Sequence, residues 1–173
     1  RSKAESTATL VANDAAWMVG AGRGLLQQIA GVAEIPADLT PEQKAKVQSA
    51  LASLPVRATL GIYDATGTAF GDGENPLLGE SIADLDVFKA LEGGGNWTIS
   101  PQVQPAGGGP SVFIVAQRLG TTDFGGVALL TIGVDVMEAL WTPLQLGKES
   151  TIGLIRADGW LVARYPAVPQ TLQ

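Results

Sequence analysis

The stretch Thr59-Leu-Gly-Ile-Tyr-Asp-Ala-Thr-Gly-Thr-Ala-Phe70 is the part of the sequence that says most about the fold. Two runs rich in apolar residues, Thr59–Tyr63 and Thr68–Phe70, flank the turn-forming residues Asp64-Ala-Thr-Gly67. Glycine at position 67 suits a turn that needs a positive φ, because it carries no Cβ. The stretch therefore predicts a β-hairpin with a short loop.

The same pattern returns in Thr151-Ile-Gly-Leu-Ile-Arg-Ala-Asp-Gly-Trp-Leu-Val162. Thr59 corresponds to Thr151 and Gly67 to Gly159, so both positions recur 92 residues downstream. A repeat this long indicates two copies of a domain-sized unit. The second copy is expected to be cut off soon after its opening hairpin.

The composition of the 173-residue chain excludes several classes of function. Its 11 Lys and Arg residues against 17 Asp and Glu residues give a net charge of −6, and no basic run occurs. This argues against binding to nucleic acid or to an anionic membrane surface. Cysteine and histidine are both absent. Their absence excludes thiolate or imidazole metal sites and Ser-His or Cys-His catalysis, so we expect no metal and no cofactor.

Hydrophobic residues make up 46% of the chain, which is ample for a core. No apolar run reaches the ~20 residues needed to cross a bilayer. The polar, Ala-rich segment that follows Arg1 lacks the apolar run expected of a signal peptide, so we expect none here. We therefore expect an excised part of a longer protein, connected to a membrane only through segments outside this chain.

Two helices are predicted before the first hairpin. Apolar residues recur every three or four positions through residues 1–35, and Pro36 then ends this long helix. The glycines of Gly20-Ala-Gly-Arg-Gly24 indicate close packing or a kink rather than a dinucleotide site, because no strand precedes them. The capping box Thr40-Pro-Glu-Gln43 predicts a second helix that ends near Leu54.

Strands and short helices follow the first hairpin. The predicted strands cover residues 96–104, 111–119 and 126–136, and the predicted short helices are Asp84–Leu91 and Asp135–Trp141. This order predicts an α+β fold, in which a long N-terminal helix accompanies a five-stranded antiparallel sheet flanked by helices.

Short motifs carry a family resemblance in their order and spacing. They are Ile62-Tyr-Asp-Ala-Thr-Gly67, Pro76-Leu-Leu-Gly79, Ala83-Asp-Leu-Asp-Val-Phe88, Ile99-Ser-Pro101, Ala116-Gln-Arg-Leu119, Gly125-Gly-Val127 and Ala157-Asp-Gly-Trp-Leu-Val-Ala-Arg-Tyr-Pro166. From Thr59 onward the chain resembles the extracytoplasmic Cache (PDC) sensor domains. These are PAS-like modules of bacterial histidine kinases, diguanylate cyclases and chemoreceptors.

The resemblance implies a double-Cache arrangement in the periplasm, on the outer side of the bacterial inner membrane. Residues 1–55 would form the N-terminal helical region, and residues 56–143 the membrane-distal lobe. Residues 144–173 would form a linker and the opening hairpin of a truncated second lobe.

The resemblance also places a small-molecule pocket on the sheet of the distal lobe, covered by the short helix and the loop and strand after it. The expected ligand-binding residues are Phe88, Trp97, Ser100, Gln102, Gln104, Phe113, Gln117 and Asp135. Phe88, Trp97 and Phe113 fit a place in the core better than a ligand contact. Asp135 fits a helix cap equally well. Gln102 and Gln104 could equally face solvent.

Amino-acid-sensing members of the family carry an Arg, a Trp and a Tyr in the helix, where this chain has Leu85, Val87 and Phe88. They carry a Tyr and an Asp after the Ser-Pro step, where this chain has Gln102 and Gln104. The Arg grips a carboxylate and the Asp holds an ammonium group. These departures imply that an α-amino acid is a poor candidate ligand, and they favour a neutral or weakly polar one.

The predicted function is therefore a periplasmic small-molecule sensor that transmits ligand binding through its helices. The alternative is a ligandless module that forms a homodimer through the Gly20/Gly24 stripe of the first helix. An enzyme is disfavoured, because Asp84 and Asp86 lie on different helix faces and no nucleophile–base set exists.

Overall fold

The computed structural model of the chain describes residues 3–32, 40–105, 107–144 and 150–166. The helices are α1 (Lys3–Val32), α2 (Pro41–Ala52), α3 (Asp86–Glu92) and α4 (Val134–Trp141), with a 3-10 turn at Thr142–Leu144. The strands are β1 (Ala58–Asp64), β2 (Trp97–Ile99), β3 (Val112–Leu119), β4 (Gly126–Gly133), β5 (Ile152–Ile155) and β6 (Leu161–Tyr165). Within these residues, no helix is both long enough and apolar enough to span a membrane. The expected ends of the first helix, at Arg1 and Ile35, lie outside the described residues.

The α+β fold class is confirmed, and among the described residues the main sheet has four strands, one fewer than expected. Its strand order is β1-β4-β3-β2 and every neighbouring pair is antiparallel. The predicted second arm of the first hairpin, Thr68–Phe70, forms only isolated bridges from Thr68 to Ser81 and from Ala69 to Tyr63. Strands β5 and β6 form a separate two-stranded sheet.

The predicted strand 96–104 is reduced to the three residues of β2. Ladder pairing with β3 ends at Ile99, and Ser100 then directs its hydroxyl back to the backbone N–H of Ile114, 2.8 Å away. Pro101 follows and has no N–H to continue the ladder. One isolated bridge, from Val103 to Val112, resumes the pairing beyond this interruption.

The sheet buries both faces. On one face Phe113, Val115, Leu130 and Ile132 form a core with the apolar stripe of α1. On the other face, which we call the α3 face, the neighbouring side chains of the same strands pack beneath α3. Those side chains are Ile114, Ala116, Val127 and Leu129, together with Tyr63 of β1. Strands covered on both faces explain the nearly continuous apolar runs of β3 and β4.

The two repeated turns have the same geometry. The Gly67 N–H donates to the carbonyl of Asp64 at 3.0 Å, and the Gly159 N–H donates to the carbonyl of Arg156 at 2.9 Å. Both glycines have positive φ values, 81° and 92°. The repeat in the sequence thus corresponds to a repeated turn. The domain boundaries expected from it remain a prediction.

Helix α2 begins at the predicted capping box. The Thr40 hydroxyl accepts from the Gln43 N–H at 3.3 Å, and the Gln43 carbonyl oxygen Oε1 accepts from the Thr40 N–H at 2.8 Å. Two helix-end N–H groups are satisfied in this way, because each side chain bonds the backbone of the other residue.

The glycines of α1 separate into two groups. A Cβ on Gly22 would lie 3.2 Å from Cδ1 of Leu130, so this glycine permits α1 to approach the sheet closely. A Cβ on Gly20 or Gly24 would meet no atom within 4 Å. Of these three glycines, only Gly22 is required by packing within the chain. A dimer contact at Gly20 and Gly24 stays a prediction.

The Asp64 carboxylate holds the first turn together. It accepts the Thr66 N–H at 2.8 Å, the Thr66 hydroxyl at 2.6 Å and the Thr68 N–H at 3.1 Å. Partial burial acts to raise the pKa of Asp64, but these hydrogen bonds together lower it below its ordinary value.

We expect the Asp64→Asn substitution to weaken the pH dependence of folding stability. A lowered carboxyl pKa contributes stability that is complete above the ordinary value of about 3.9 and is lost as the pH falls through the folded-state pKa. Urea unfolding at pH 7, 4 and 3 should therefore show a wild-type advantage that shrinks with acidification. Asp123→Asn, at an exposed carboxylate in another loop, is the control. Equal losses for Asp64→Asn at all three pH values would contradict the assignment.

Candidate ligand-binding site

Helix α3 forms the cover of the candidate site. Its Val87, Phe88 and Leu91 side chains are 2%, 3% and 0% exposed and face the sheet, where they pack with Ile114 and Leu129. Residues at spacings of one, three and four positions share one side of a helix this short, so the sequence Asp86–Glu92 has a single apolar face. This is the side of the sheet on which the family resemblance places a small-molecule pocket.

A cationic side chain reaches the C-terminal end of α3 from strand β3. The Nη1 of Arg118 donates to the carbonyl of Leu91 at 2.9 Å, and its Cζ lies 5.2 Å from the ring centre of Phe124. Phe124 in turn meets Phe88 edge to face, with ring centres 5.4 Å apart at 74°. A guanidinium beside the free carbonyls of a helix end is electrostatically favourable. We call Phe88, Arg118 and Phe124 the α3 clamp.

The α3 clamp shows what sequence reasoning missed. Alternation along β3 placed Arg118 on the face opposite Gln117, but it did not show which face meets α3. The Asp123-Phe-Gly125 triplet lies in the β3–β4 loop, and nothing in its local sequence marks Phe124 as the partner of Phe88. The spacing of Phe88 within the apolar stripe of α3 was the only local signal.

A buried polar network adjoins the clamp under the loop after β1. Asn75 is fully buried, and its Nδ2 donates to the Thr59 carbonyl at 3.0 Å and to Oγ1 of Thr131 at 3.1 Å. The Tyr63 hydroxyl donates to the Gly79 carbonyl at 2.9 Å and accepts from the Asn75 N–H at 3.1 Å. Burial raises the pKa of the Tyr63 phenol, so it stays protonated and able to donate.

Ser100 lies at the edge of the α3 face and is only 3% exposed. Its hydroxyl accepts from the Ile114 N–H at 2.8 Å and donates to the Pro101 carbonyl at 2.6 Å. The first bond joins the end of β2 to β3, and the second is local to the Ser-Pro step. Ser100 therefore shapes the edge of the candidate site, and its hydroxyl is already committed within the chain.

Three of the residues expected to bind ligand lie on the α1 side of the sheet instead. Phe113 is fully buried in the core beneath α1, which agrees with the core alternative for this residue. Trp97 and Gln117 are directly opposite each other in the β2–β3 register, on the same side as Phe113. The structure does not bring these three together with Phe88.

The two glutamines after the Ser-Pro step are exposed. The Gln102 N–H donates to the Leu161 carbonyl of the second hairpin at 3.1 Å. Gln104 bonds within its own loop, donating to the Gly109 carbonyl at 2.8 Å and accepting from the Ser111 hydroxyl at 2.9 Å. Their exposure agrees with the alternative that both glutamines face solvent. A ligand-binding role for either remains a prediction.

Asp135 is exposed in the first turn of α4. The N-cap residue is Gly133, with no side-chain capping bond, so the alternative that made Asp135 the cap is wrong. A carboxylate in the first turn is still favourable there, because it faces the positive end of the helix dipole. The buried side of α4 packs with the core beneath α1, whereas Phe88 packs on the α3 face.

The second hairpin attaches to the edge of the main sheet through Arg156. Its Nη1 donates to the Ile99 carbonyl of β2 at 2.7 Å, and its Nε donates to Oδ1 of Asp158 at 2.8 Å. The hydrogen bond that Arg156 donates to Asp158 raises the pKa of Arg156 and lowers the pKa of the Asp158 carboxyl. Edge strand β2 thus carries contacts to the hairpin as well as to β3.

Two apolar grooves lie along α1. One, of about 260 Å³, runs between α1 and the second hairpin and includes Ala15, Ile99 and Ile155. The other, of about 140 Å³, lies between α1 and α2 and includes Leu25 and Val47. Both are on the α1 side, so neither is the site expected beneath α3. Across the described part of the chain, no cluster of three or more acidic, His or Cys residues is placed to hold a metal ion.

Comparison with known proteins gives matches at the level of structure. No protein-family model matches the chain, and no curated protein matches it. The extracellular domain of a histidine kinase, rpHK1S-Z16, superposes with a TM-score of 0.69 at 22% identity, over 92% of this chain and 69% of that one. The ligand-binding domain of the Pseudomonas fluorescens chemoreceptor CtaA, with L-isoleucine, gives 0.59 at 20% identity, over 92% and 64%. That of the Campylobacter jejuni chemoreceptor Tlp3, with L-valine, gives 0.55 at 14%, over 96% and 72%.

These matches overturn the expectation that an α-amino acid is a poor ligand for this chain. Solved domains of this fold are complexes with L-valine, L-isoleucine, L-alanine and L-serine. That expectation rested on the helix positions of Leu85, Val87 and Phe88, where this chain has no charged residue. It overlooked that a strand can supply a cation to the same face, as the position of Arg118 illustrates.

The fold predicted from the family resemblance is confirmed by these superpositions. In this chain the matched fold consists of a long N-terminal helix and an antiparallel sheet flanked by helices. The chain thus has the fold of the extracellular ligand-binding domains of bacterial histidine kinases and chemoreceptors.

Proposed function

We propose that this chain is an extracytoplasmic sensor domain of a bacterial membrane receptor, and that it binds a small molecule beneath α3. The fold carries this proposal, because its solved counterparts are extracellular ligand-binding domains of signalling receptors. Its role is binding rather than catalysis. The double-lobed organisation, with a distal lobe at 56–143 and a second lobe opening at the β5–β6 hairpin, belongs to the same proposal and is supported by the repeated turn.

The ligand class that we propose is a small α-amino acid with an apolar side chain. The α3 clamp supports this choice, because it places the guanidinium of a partly exposed arginine over the ring of Phe124, which in turn meets Phe88. A guanidinium has five N–H donors in a geometry that suits a carboxylate, and its bond to Leu91 uses one of them. Apolar contacts from Phe88 and Phe124 would then receive the ligand side chain.

Ligand-induced stabilisation tests this function. L-valine, L-isoleucine, L-alanine and L-serine are titrated separately while the melting temperature is followed. At a concentration of 100 times Kd, a ligand that binds only the folded state adds about 2.7 kcal/mol of stability. In a domain of this size that corresponds to an increase of several degrees. We expect at least one of the four to give a saturable increase.

Arg118→Gln tests the carboxylate contact and should abolish the increase in melting temperature. The matched control is Arg57→Gln, which removes an exposed arginine before β1 and should leave the response unchanged. L-valinamide, which lacks the carboxylate, should bind at least tenfold more weakly than L-valine. If none of the four amino acids stabilises the protein, the proposed ligand class is wrong. Equal responses to L-valine and L-valinamide would instead refute only the role of Arg118.

A further inference from the structure

The contact between α1 and the sheet is apolar along most of its length, with one polar exception. Val11, Ala15, Met18 and Leu26 of α1 are buried in the core that the helix shares with β3 and β4. At Arg23 the helix instead places a guanidinium on an aromatic ring, with Cζ 4.3 Å from the ring centre of Trp97. Trp97 opens edge strand β2, so this cation–π contact connects α1 to the edge of the sheet.

The polar atoms next to this contact are incompletely satisfied. Nε of Arg23 and Oε1 of Gln117 are both buried and have no hydrogen-bond partner among the described residues. Gln117 lies directly opposite Trp97 in the β2–β3 register and shares its face, so both atoms belong to groups that adjoin Trp97. One is a donor and the other an acceptor. Buried polar atoms are normally paired, and each exception calls for an explanation.

The Gln117-Arg118 dipeptide connects this cluster to the candidate ligand site. Adjacent residues of a strand point to opposite faces, so Gln117 faces α1 while Arg118 reaches the end of α3. The backbone joins them further, because Nε2 of Gln117 makes a long 3.4 Å bond to the Arg118 carbonyl. A ligand that displaces Arg118 would therefore also change the position of Gln117. Strand β2 also contacts both sides, because α3 packs against it and Trp97 meets α1.

We propose that Arg23, Trp97 and Gln117 form a two-position contact that couples the ligand face of the sheet to α1. In the position seen here, Arg23 stacks on Trp97 and the two polar atoms are unpaired. In the second position, the Arg23 guanidinium donates to Oε1 of Gln117 and leaves the ring. A ligand that favours one position of β2 and β3 shifts the balance between the two arrangements, and α1 moves with Arg23. This coupling rests on the proposed sensor function.

The ¹⁹F chemical shift of a fluorine on the Trp97 ring reports the position of Arg23 in the absence of ligand. Protein labelled with 5-fluorotryptophan gives one ¹⁹F signal for each of its four tryptophans, and Trp97→Phe identifies the signal of Trp97. Gln117→Glu strengthens the bonded position by placing a carboxylate beside Arg23, so the Trp97 signal should move. In the Arg23→Met background, Gln117→Glu should no longer move the Trp97 signal relative to Arg23→Met alone, because the guanidinium that responds to the carboxylate is absent.

The matched control is Gln27→Glu, which makes the same change at an exposed position of α1 and should leave the Trp97 signal in place. The proposal is overturned if Gln117→Glu leaves the Trp97 signal unmoved, or moves it equally with and without Arg23. Unfolding of each variant by urea is measured in parallel. Should Gln117→Glu fail to fold, Gln117→Leu serves in its place. It removes the acceptor, and the proposal requires it to suppress any exchange broadening of the Trp97 signal.

Ligand binding supplies the second half of the test, with L-isoleucine as the probe. Gln117→Glu should change the dissociation constant of L-isoleucine about fivefold or more, the lower end of typical coupling between sites. Gln27→Glu should not change it. An unaltered affinity in Gln117→Glu, with wild-type binding intact, overturns the coupling but leaves the sensor function standing. If no amino acid binds the wild type, the sensor proposal is what fails, and the ligand-free ¹⁹F result still decides whether the contact has two positions.

Discussion

Replacing Asn75 with leucine is expected to lower the free energy of unfolding by about 3–5 kcal/mol, although the two side chains are similar in size. Asn75 is fully buried, and its side chain joins three parts of the structure. Nδ2 bonds the Thr59 carbonyl of β1 and the Thr131 hydroxyl of β4, while Oδ1 accepts from the Leu77 N–H at 3.0 Å. Leucine would remove all three of these bonds, leaving the Thr131 hydroxyl only its long 3.4 Å bond to the Thr59 carbonyl. Urea unfolding monitored by circular dichroism measures the loss.

Thr131→Val is the matched control for Asn75→Leu. It removes one partner of Nδ2 but leaves the bond from Asn75 to the Thr59 carbonyl, so we expect a loss of only about 1 kcal/mol. The ratio of the two losses is therefore informative. Similar losses for both variants would mean that Asn75 acts through Thr131 alone, which would contradict a network centred on Asn75.

Replacing Gly126 with alanine is expected to cost about 3–5 kcal/mol or to prevent folding, even though alanine adds only one methyl group. Gly126 begins β4 opposite Asp64 and has a φ of 131°, a conformation that residues with a Cβ rarely adopt. A Cβ there would also lie 2.1 Å from the Tyr63 carbonyl oxygen, which is backbone and cannot rotate away. The β1–β4 pairing would have to open. Thermal unfolding measured in parallel with the wild type checks this.

Gly79→Ala separates the two causes of that loss. Gly79 also has a positive φ, 80°, but a Cβ there would meet no atom within 4 Å. It should therefore lose only the conformational part, about 1–2 kcal/mol. The interpretation of Gly126 as a close-approach site would be refuted if Gly79→Ala proved as damaging as Gly126→Ala.

The elements that could be predicted from the sequence are those specified by local chemistry. The Thr40–Gln43 capping box bonds only its own backbone, and the start of α2 follows from it. Strands β3 and β4 were recognisable because they are largely apolar, include several β-branched residues and lie between glycine-containing turns. The second arm of the first hairpin bonds β1 as predicted, because the Asp64 N–H donates to the Thr68 carbonyl at 2.8 Å and the Phe70 N–H to the Ile62 carbonyl at 2.9 Å. It makes isolated bridges rather than a ladder, and its Ala69 N–H donates to the distant Glu80 carbonyl at 2.7 Å.

The composition of the candidate site was much less predictable. Alternation along β3 separates Gln117 from Arg118, but it is symmetric and does not say which set faces α3. The sequence-based prediction therefore included Phe113 and Gln117, which face α1. It omitted Arg118 and Phe124, which contact α3. The error about α-amino acids has the same origin, because cation positions were judged along the helix alone.

By itself, the sequence determined the α+β class, the order of elements and the two repeated turns. These depend on periodicity and on hydrogen bonds between residues a few positions apart. Only the tertiary structure decided which face of the sheet each strand residue presents to α1 and which to α3. That choice depends on packing between segments far apart in sequence, such as Arg23 on Trp97 and Arg118 on Leu91. The hairpin at residues 59–70 illustrates both: its turn and the pairing of Ala69 with Tyr63 are local, whereas β4, which pairs along all of β1, comes far later in the sequence.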